Sequence, residues 1–111
     1  MPTPQNQRFI HYQVKIDRKG GTPRVSIPSH FYVSEGDLLT VTLGDGPCLI
    51  LSKAGPGPQD LGVIKRVDSR RRITLESELT RPIGLTRSRK AIIVDALDHL
   101  EIWSSPNWKR R

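Results

Sequence analysis

The chain has 111 residues, with 18 Lys plus Arg against 11 Asp plus Glu and a net charge of +7; that length suits one modest core or two very small halves. Hydrophobic residues are 35% and aromatics 5%, so burial is expected to be completed by a partner or by self-association. One cysteine excludes an internal disulfide and argues against a Cys-based zinc site, and no apolar run reaches the roughly 18 residues of a membrane span. The opening Met1-Pro2-Thr3-Pro4-Gln5-Asn6-Gln7 lacks a signal-peptide pattern. The expectation is a soluble protein of the reducing cytoplasm.

In chain order, residues 1–11 read as a loose tail. Tyr12, Val14 and Ile16 alternate as in a half-buried strand, and Asp17 to Pro23 forms a charged turn around Gly20-Gly21. Val25 and Ile27 continue the alternation until Pro28, Ser29 to Tyr32 suits one helical turn, and Glu35-Gly36-Asp37 a tight turn. Leu39, Val41 and Leu43 form the next strand, followed by the hairpin signal Gly44-Asp45-Gly46 and the apolar strand Cys48 to Leu51. Residues 54–60, with two prolines and two glycines, separate a first half (12–53) from a second (61–104). There the series runs again. Val63 to Val67 is a strand, Asp68-Ser69-Arg70-Arg71 a turn, and Ile73 with Leu75 a strand. Glu76 to Arg81 is a short helix, and strands follow at Ala91 to Val94 and Leu100 to Trp103. Residues 105–111 are read as a basic tail.

The halves align as a repeat. Arg24-Val25-Ser26-Ile27 maps onto Arg72-Ile73-Thr74-Leu75 at an offset of 48, and Val14-Lys15-Ile16-Asp17 onto Lys65-Arg66-Val67-Asp68. Cys48-Leu49-Ile50-Leu51-Ser52 maps onto Leu100-Glu101-Ile102-Trp103-Ser104 at an offset of 52. A half of about four strands leaves open edges and an open apolar face, and two halves cure both by interlocking, within one chain or between two. The expected fold is all-β, with one or two helical turns and two pseudo-repeated halves.

These motifs resemble a known family. Arg24-Val25-Ser26-Ile27-Pro28, Phe31 and Glu35-Gly36-Asp37 are similar to the AbrB/SpoVT-type swapped-hairpin module. The tandem, with Asp68 to Arg72 as an Asp-x-x-x-Arg signature and Leu100 to Trp103 as a closing strand, resembles the MraZ family of bacterial transcriptional regulators. The first Asp turn is longer than the family's, and Glu76 stands where the family usually has Pro. The resemblance implies a swapped-hairpin β-barrel, homo-oligomers (a dimer or a ring) and binding of double-stranded DNA by a nucleoid-associated regulator.

Twelve of the 18 basic residues are arginine, whose planar fork suits phosphates and guanine edges. Three consecutive arginines on the Asp68 turn repel one another, so a counter-charge is favourable there. Asp68 sets the turn by accepting backbone N–H bonds, and Asp17 is its counterpart. The resemblance makes Arg72 a groove- or phosphate-reading residue, with Arg70 and Arg71 at phosphates. Arg24, Arg18 and Lys19 form the counterpart cluster, and Lys15, Lys65 and Arg66 on the leading strands extend the patch. Arg87, Arg89 and Lys90 form a further basic cluster. Solvated cationic turns are the plain alternative for all of them. Trp103, Trp108 and Cys48 read as packing residues. No metal-ligand spacing joins His11, His30 and His99, and no nucleophile or phosphate-loop motif occurs, so neither a cofactor nor an enzyme is expected. The reading is a sequence-specific DNA-binding regulator without membrane contact. The rivals are a toxin-neutralising antitoxin of the same fold, with a toxin partner, and a non-DNA assembly module.

Overall fold

Alternating segments become strands in the computed structural model of the protein, which describes residues 10–29, 31, 33–53, 63–96 and 99–110. The first half contributes β1 (Ile10–Lys15), β2 (Asp17–Lys19), β3 (Thr22–Ser26), β4 (Leu38–Gly44) and β5 (Cys48–Lys53). The second contributes β6 (Val63–Arg66), β7 (Arg72–Thr74), a one-turn helix α1 (Ser77–Thr80), β8 (Lys90–Asp95), β9 (Leu100–Trp103) and a helix α2 (Ser105–Arg110). The protein is all-β in class. The linker at 54–60 and the tail through residue 9 lie outside the described residues, as do His30 and Tyr32 of the expected helical turn and the 97–98 part of the last turn.

Six strands form one antiparallel sheet in the order β1-β8-β9-β5-β4-β6, and three form a second in the order β2-β3-β7. The halves interlock. β1 of the first half pairs with β8 of the second, and β6 of the second pairs with β4 of the first. Each half's leading strand thus covers an edge that the other half's hairpin would otherwise leave open.

The registers carry an approximate internal two-fold. In β3–β7, Val25 pairs with its repeat mate Ile73, flanked by Arg24↔Thr74 and Ser26↔Arg72. In β5–β9, Ile50 pairs with Glu101, flanked by Leu49↔Ile102 and Leu51↔Leu100. This corrects the alignment of the closing strands: the structural offset is 51, not 52. A one-residue slip would turn every side chain to the other face. Only at 51 do Leu49 and Leu51 share the core with their mates Leu100 and Ile102.

That core lies between the sheets. Val25, Ile27, Ile73 and Leu75 from the small sheet meet Leu39, Val41, Leu49, Leu51, Ala91, Ile93, Leu100 and Ile102 from the large one, all nearly inaccessible to solvent. Leu79, Ile83 and Leu85, around and after α1, join it. A second, smaller cluster sits on the other face of the large sheet: Cys48, Ile92, Val94 and Trp103, with Ile50 and Trp108 against it.

Two segments differ from expectation. The first Asp turn extends into a hairpin, β2–β3, because Gly20 and Gly21 take φ values of 59° and 87°, the left-handed pair that a two-residue hairpin turn requires. The segment after Ser104, read only as a basic tail, is helical over Ser105–Arg110. The Ser104 carbonyl accepts the Trp108 N–H at 2.9 Å, and the Ser104 hydroxyl accepts the Asn107 N–H at 3.2 Å. Trp108 packs edge-on to Trp103 with ring centroids 5.6 Å apart and lies 5.0 Å from His11. The signal is Ser104, whose hydroxyl serves the first turn of the helix.

Candidate nucleic-acid interface

The outer face of the small sheet is built around four charges. Because Val25 and Ile73 point into the core, the alternation sends Arg24 and Arg72 to the opposite face, as diagonal neighbours across β3–β7. Asp17 lies opposite Arg24 in β2–β3. Its Oδ2 accepts from Arg24 Nη2 and, at 3.0 Å, from Arg72 Nη1. Asp68 holds the other edge of Arg72, its Oδ2 accepting from Nε at 3.1 Å. The counter-charge that the arginine turn calls for is therefore internal, and it joins both halves. Each guanidinium has a side chain 17% exposed. Arg72 keeps Nη2 free of described acceptors, and Arg24 keeps Nη1 together with a buried Nε that has no partner.

Asp68 also organises its own turn. Its Oδ1 accepts the N–H groups of Arg70 at 2.9 Å and Arg72 at 2.8 Å, while its carbonyl accepts the N–H of Arg71 at 3.0 Å. The turn separates the three arginines. Arg70 is exposed at the tip, with no side-chain hydrogen bond to a described residue. Arg71, with φ at 59°, turns back toward the body of the protein. Its Nη2 donates to the carbonyls of Pro28 at 2.7 Å and Phe31 at 3.2 Å, and its Nη1 donates to that of Val33. Expected at a phosphate, Arg71 is instead committed to backbone.

The remaining candidates separate into three places. Lys19 is exposed at the end of β2, on the same face as Asp17. Since β3 advances about 3.3 Å per residue and the two turns lie at opposite ends of β3–β7, Lys19 and Arg70 stand at the two ends of the small sheet. Lys15 and Arg18 line a cleft with Ile16, Arg89 and Lys90, where β1 leaves the large sheet and continues as β2. Lys65 lies apart from both, paired with Glu76 and 15% exposed. Arg66 is exposed opposite Leu38, in β6 at the edge of the large sheet. Two links escaped the sequence reading: Asp17 bridging to Arg72, and Lys15 facing Lys90. The repeat already carries the signal for the first, since Asp17 is the mate of Asp68.

Elsewhere, burial pushes the Cys48 thiol up to about 11, with help from the carboxylates of Glu101 and Asp45, so it is an unreactive core group. Glu101 accepts the Trp103 indole N–H at 2.8 Å. Among the described residues there is no cluster of three or more metal-ligating side chains, and no helix is long and apolar enough to cross a membrane.

Both network carboxyls titrate below the usual range. Desolvation pushes Asp17 up, but the hydrogen bond and charge of Arg24, with smaller help from the Arg18 N–H and Arg72, outweigh it. Asp68 behaves alike: desolvation is overcome by the N–H groups of Arg72 and Arg70 and by the Arg72 guanidinium. A carboxyl lowered on folding stabilises the fold above its unfolded pKa, and that contribution fades as pH falls through the folded value. Urea midpoints are therefore expected to drop on acidification from neutral to below pH 4, and to drop less in an Asp17→Asn/Asp68→Asn variant. Equal drops in the two proteins would refute the assignment.

No protein-family model matches the sequence, and no curated protein matches it.

Proposed function

We propose that the protein is a sequence-specific double-stranded DNA-binding regulator of transcription, acting at the nucleoid as a homo-oligomer through the outer face of its small sheet. The observation that carries this reading is the Arg24/Arg72 pair, set across an internal two-fold and clamped by Asp17 and Asp68. An arginine already held by a carboxylate loses little conformational freedom on binding, and its free N–H edge suits a guanine or a phosphate. Lys19 and Arg70, unpaired by described carboxylates at the two ends of the same face, serve as phosphate contacts that fix orientation. Two arginines related by a two-fold fit two related half-sites. The resemblance to AbrB-type and MraZ-type proteins agrees with this, and so does the interlocking of the halves. Self-association fits the exposed apolar groups Leu38, Val63 and Ile64 on and beside edge strand β6.

Selection from random duplexes tests the reading. The wild type is expected to enrich one motif. Arg24→Gln should relax the preference at one part of that motif, by about 1.5–3 kcal/mol for a lost charge-assisted hydrogen bond. Arg70→Gln should weaken all sequences evenly. Binding without enrichment would replace sequence reading by an architectural role, and no binding at low salt would overturn DNA as the partner.

A further inference from the structure

The cleft at the β1–β2 corner holds four cations: Lys15, Arg89 and Lys90, whose side chains make no hydrogen bond or ion pair with a described residue, and Arg18, whose guanidinium donates to the carbonyls of Ser88 and, at 3.4 Å, Gly21. Lys15 and Lys90 are directly opposed across β1–β8, an arrangement of like charges that disfavours the pair. Arg89 adjoins Lys90, and its carbonyl accepts the Ile16 N–H at 2.7 Å, which fixes this backbone beside the junction of β1 and β2. Arg18 enters from the side of β2 away from Asp17, with Nη2 donating to the Ser88 carbonyl at 2.7 Å. None of these four side chains forms an ion pair with a described residue, and Lys15, Arg89 and Lys90 are exposed.

The internal two-fold supplies a comparison within the same molecule. The mate of the Ile16–Arg89 backbone bond is the bond from the Val67 N–H to the Asp37 carbonyl, at 2.9 Å. The mate of Lys15↔Lys90 is Arg66↔Leu38. The same backbone corner is thus built once with Arg89 and Lys90 and once with Asp37 and Leu38. Folding requires the bond and the strand pair, both of which the second corner makes with an acid and an apolar residue. Neither the bond nor the strand pair therefore requires the charges of Arg89 and Lys90.

We infer that this cleft is a phosphate-binding site, with Lys15, Arg18, Arg89 and Lys90 as its donors, present on one side only of a pseudo-symmetric molecule. In the setting of the proposed function, on which this extension to DNA rests, the phosphates belong to a duplex backbone beyond the small-sheet face. The one-sided site then gives a two-fold reader a direction along the DNA. The same chemistry would also accept a free polyphosphate.

The test pairs two probes, a selected duplex across a salt series and inorganic pyrophosphate followed by NMR. Three proteins are compared: the wild type, Arg89→Gln/Lys90→Gln, and Lys53→Gln/Arg81→Gln, which removes the same charge from exposed positions elsewhere. The cleft variant is expected to lower the slope of log affinity against log salt by about 1.8, the value for two lost phosphate contacts. It should keep the enriched motif, and the charge-matched variant should keep the wild-type slope. If the wild type ignores the duplex but pyrophosphate shifts the signals of these four residues, and the cleft variant abolishes those shifts, the DNA reading fails and the phosphate site stands with a free ligand. If the duplex binds with equal slopes in all three proteins and pyrophosphate shifts nothing in the cleft, the site is overturned and the DNA reading survives. Equal losses of slope in both variants overturn the site as well, since bulk charge would then account for the effect.

Discussion

Replacing Arg71 by alanine is expected to destabilise the protein by about 3 kcal/mol, with an unchanged denaturant slope. The guanidinium donates to three backbone carbonyls, those of Pro28, Phe31 and Val33. A charged hydrogen bond contributes about 1.5–3 kcal/mol, and three bonds from one group are not additive. Against a total stability of roughly 5–15 kcal/mol, the loss is large. The backbone adds a second measurable quantity. Arg71 sits at φ 59°, where a Cβ costs about 1–2 kcal/mol. Arg71→Gly should therefore be less damaging than Arg71→Ala, by about 1 kcal/mol. Arg71→Lys, which keeps the charge but lacks the fork, should fall between the wild type and alanine. Urea titration of the four proteins measures all of this, and an alanine variant within 0.5 kcal/mol of wild type would refute the role. The practical consequence concerns DNA binding. Reversing the charge of all three turn arginines together would remove the bonds to the Pro28, Phe31 and Val33 carbonyls as well as the surface charge, so Arg70 and Arg24 are the informative positions.

Separating the two halves within the Gly/Pro linker is expected to abolish the folded monomer of each half and to restore the fold when the halves are mixed. Among the described residues, only β2–β3, β4–β5 and β8–β9 pair within a half. The other four pairings, β1–β8, β4–β6, β3–β7 and β5–β9, join one half to the other. The main core is divided in the same way, with Val25, Leu49 and Leu51 in one half and Ile73, Leu100 and Ile102 in the other. A lone half would expose both its apolar face and a row of unpaired backbone groups. Circular dichroism and sedimentation of each piece, then of the equimolar mixture, decide the matter. A folded monomeric half would refute the interlocked topology. A half that folds only as a dimer would agree with it, because the internal two-fold matches each strand of one half to its mate in the other.

Much of the fold is legible in adjacent residues. Tyr12-Val14, Val25-Ile27, Leu39-Val41 and Ile73-Leu75 alternate and become strand or its direct continuation, because side chains in a strand change face at every residue. Gly20-Gly21 announces a turn, and Asp68 reaches backbone donors only two and four residues away. The C-terminal helix was missed because its six residues Ser105–Arg110 include Pro106 and carry no apolar stripe. Proline is nevertheless tolerated in a first turn, whose N–H groups lack intrahelical partners anyway. Its one large apolar group, Trp108, finds a place only because Trp103 and His11 are already there.

The candidate site divides in the same manner. Composition and the Asp-Arg turns mark a cationic protein with arginines on tight corners, and they say which residues carry charge. They do not say which charges are already satisfied. Arg70, Arg71 and Arg72 are consecutive, yet one is exposed, one is folded onto backbone and one is held by two carboxylates. Lys65 and Lys15 occupy neighbouring places in the repeat, yet one meets Glu76 and the other meets Lys90.

By itself the sequence determined the strand class, the turns, the duplication and the sign of the surface, since each depends on residues a few positions apart or on a simple sum. The tertiary structure alone decided the pairing of each leading strand with the other half, the offset of 51 that brings Leu49 and Leu51 to the core, and the contrast between the cationic corner and its neutral mate. Those outcomes depend on partners dozens of residues away, and they follow from the free energy of burying one face of each sheet, a quantity that belongs to the assembled molecule.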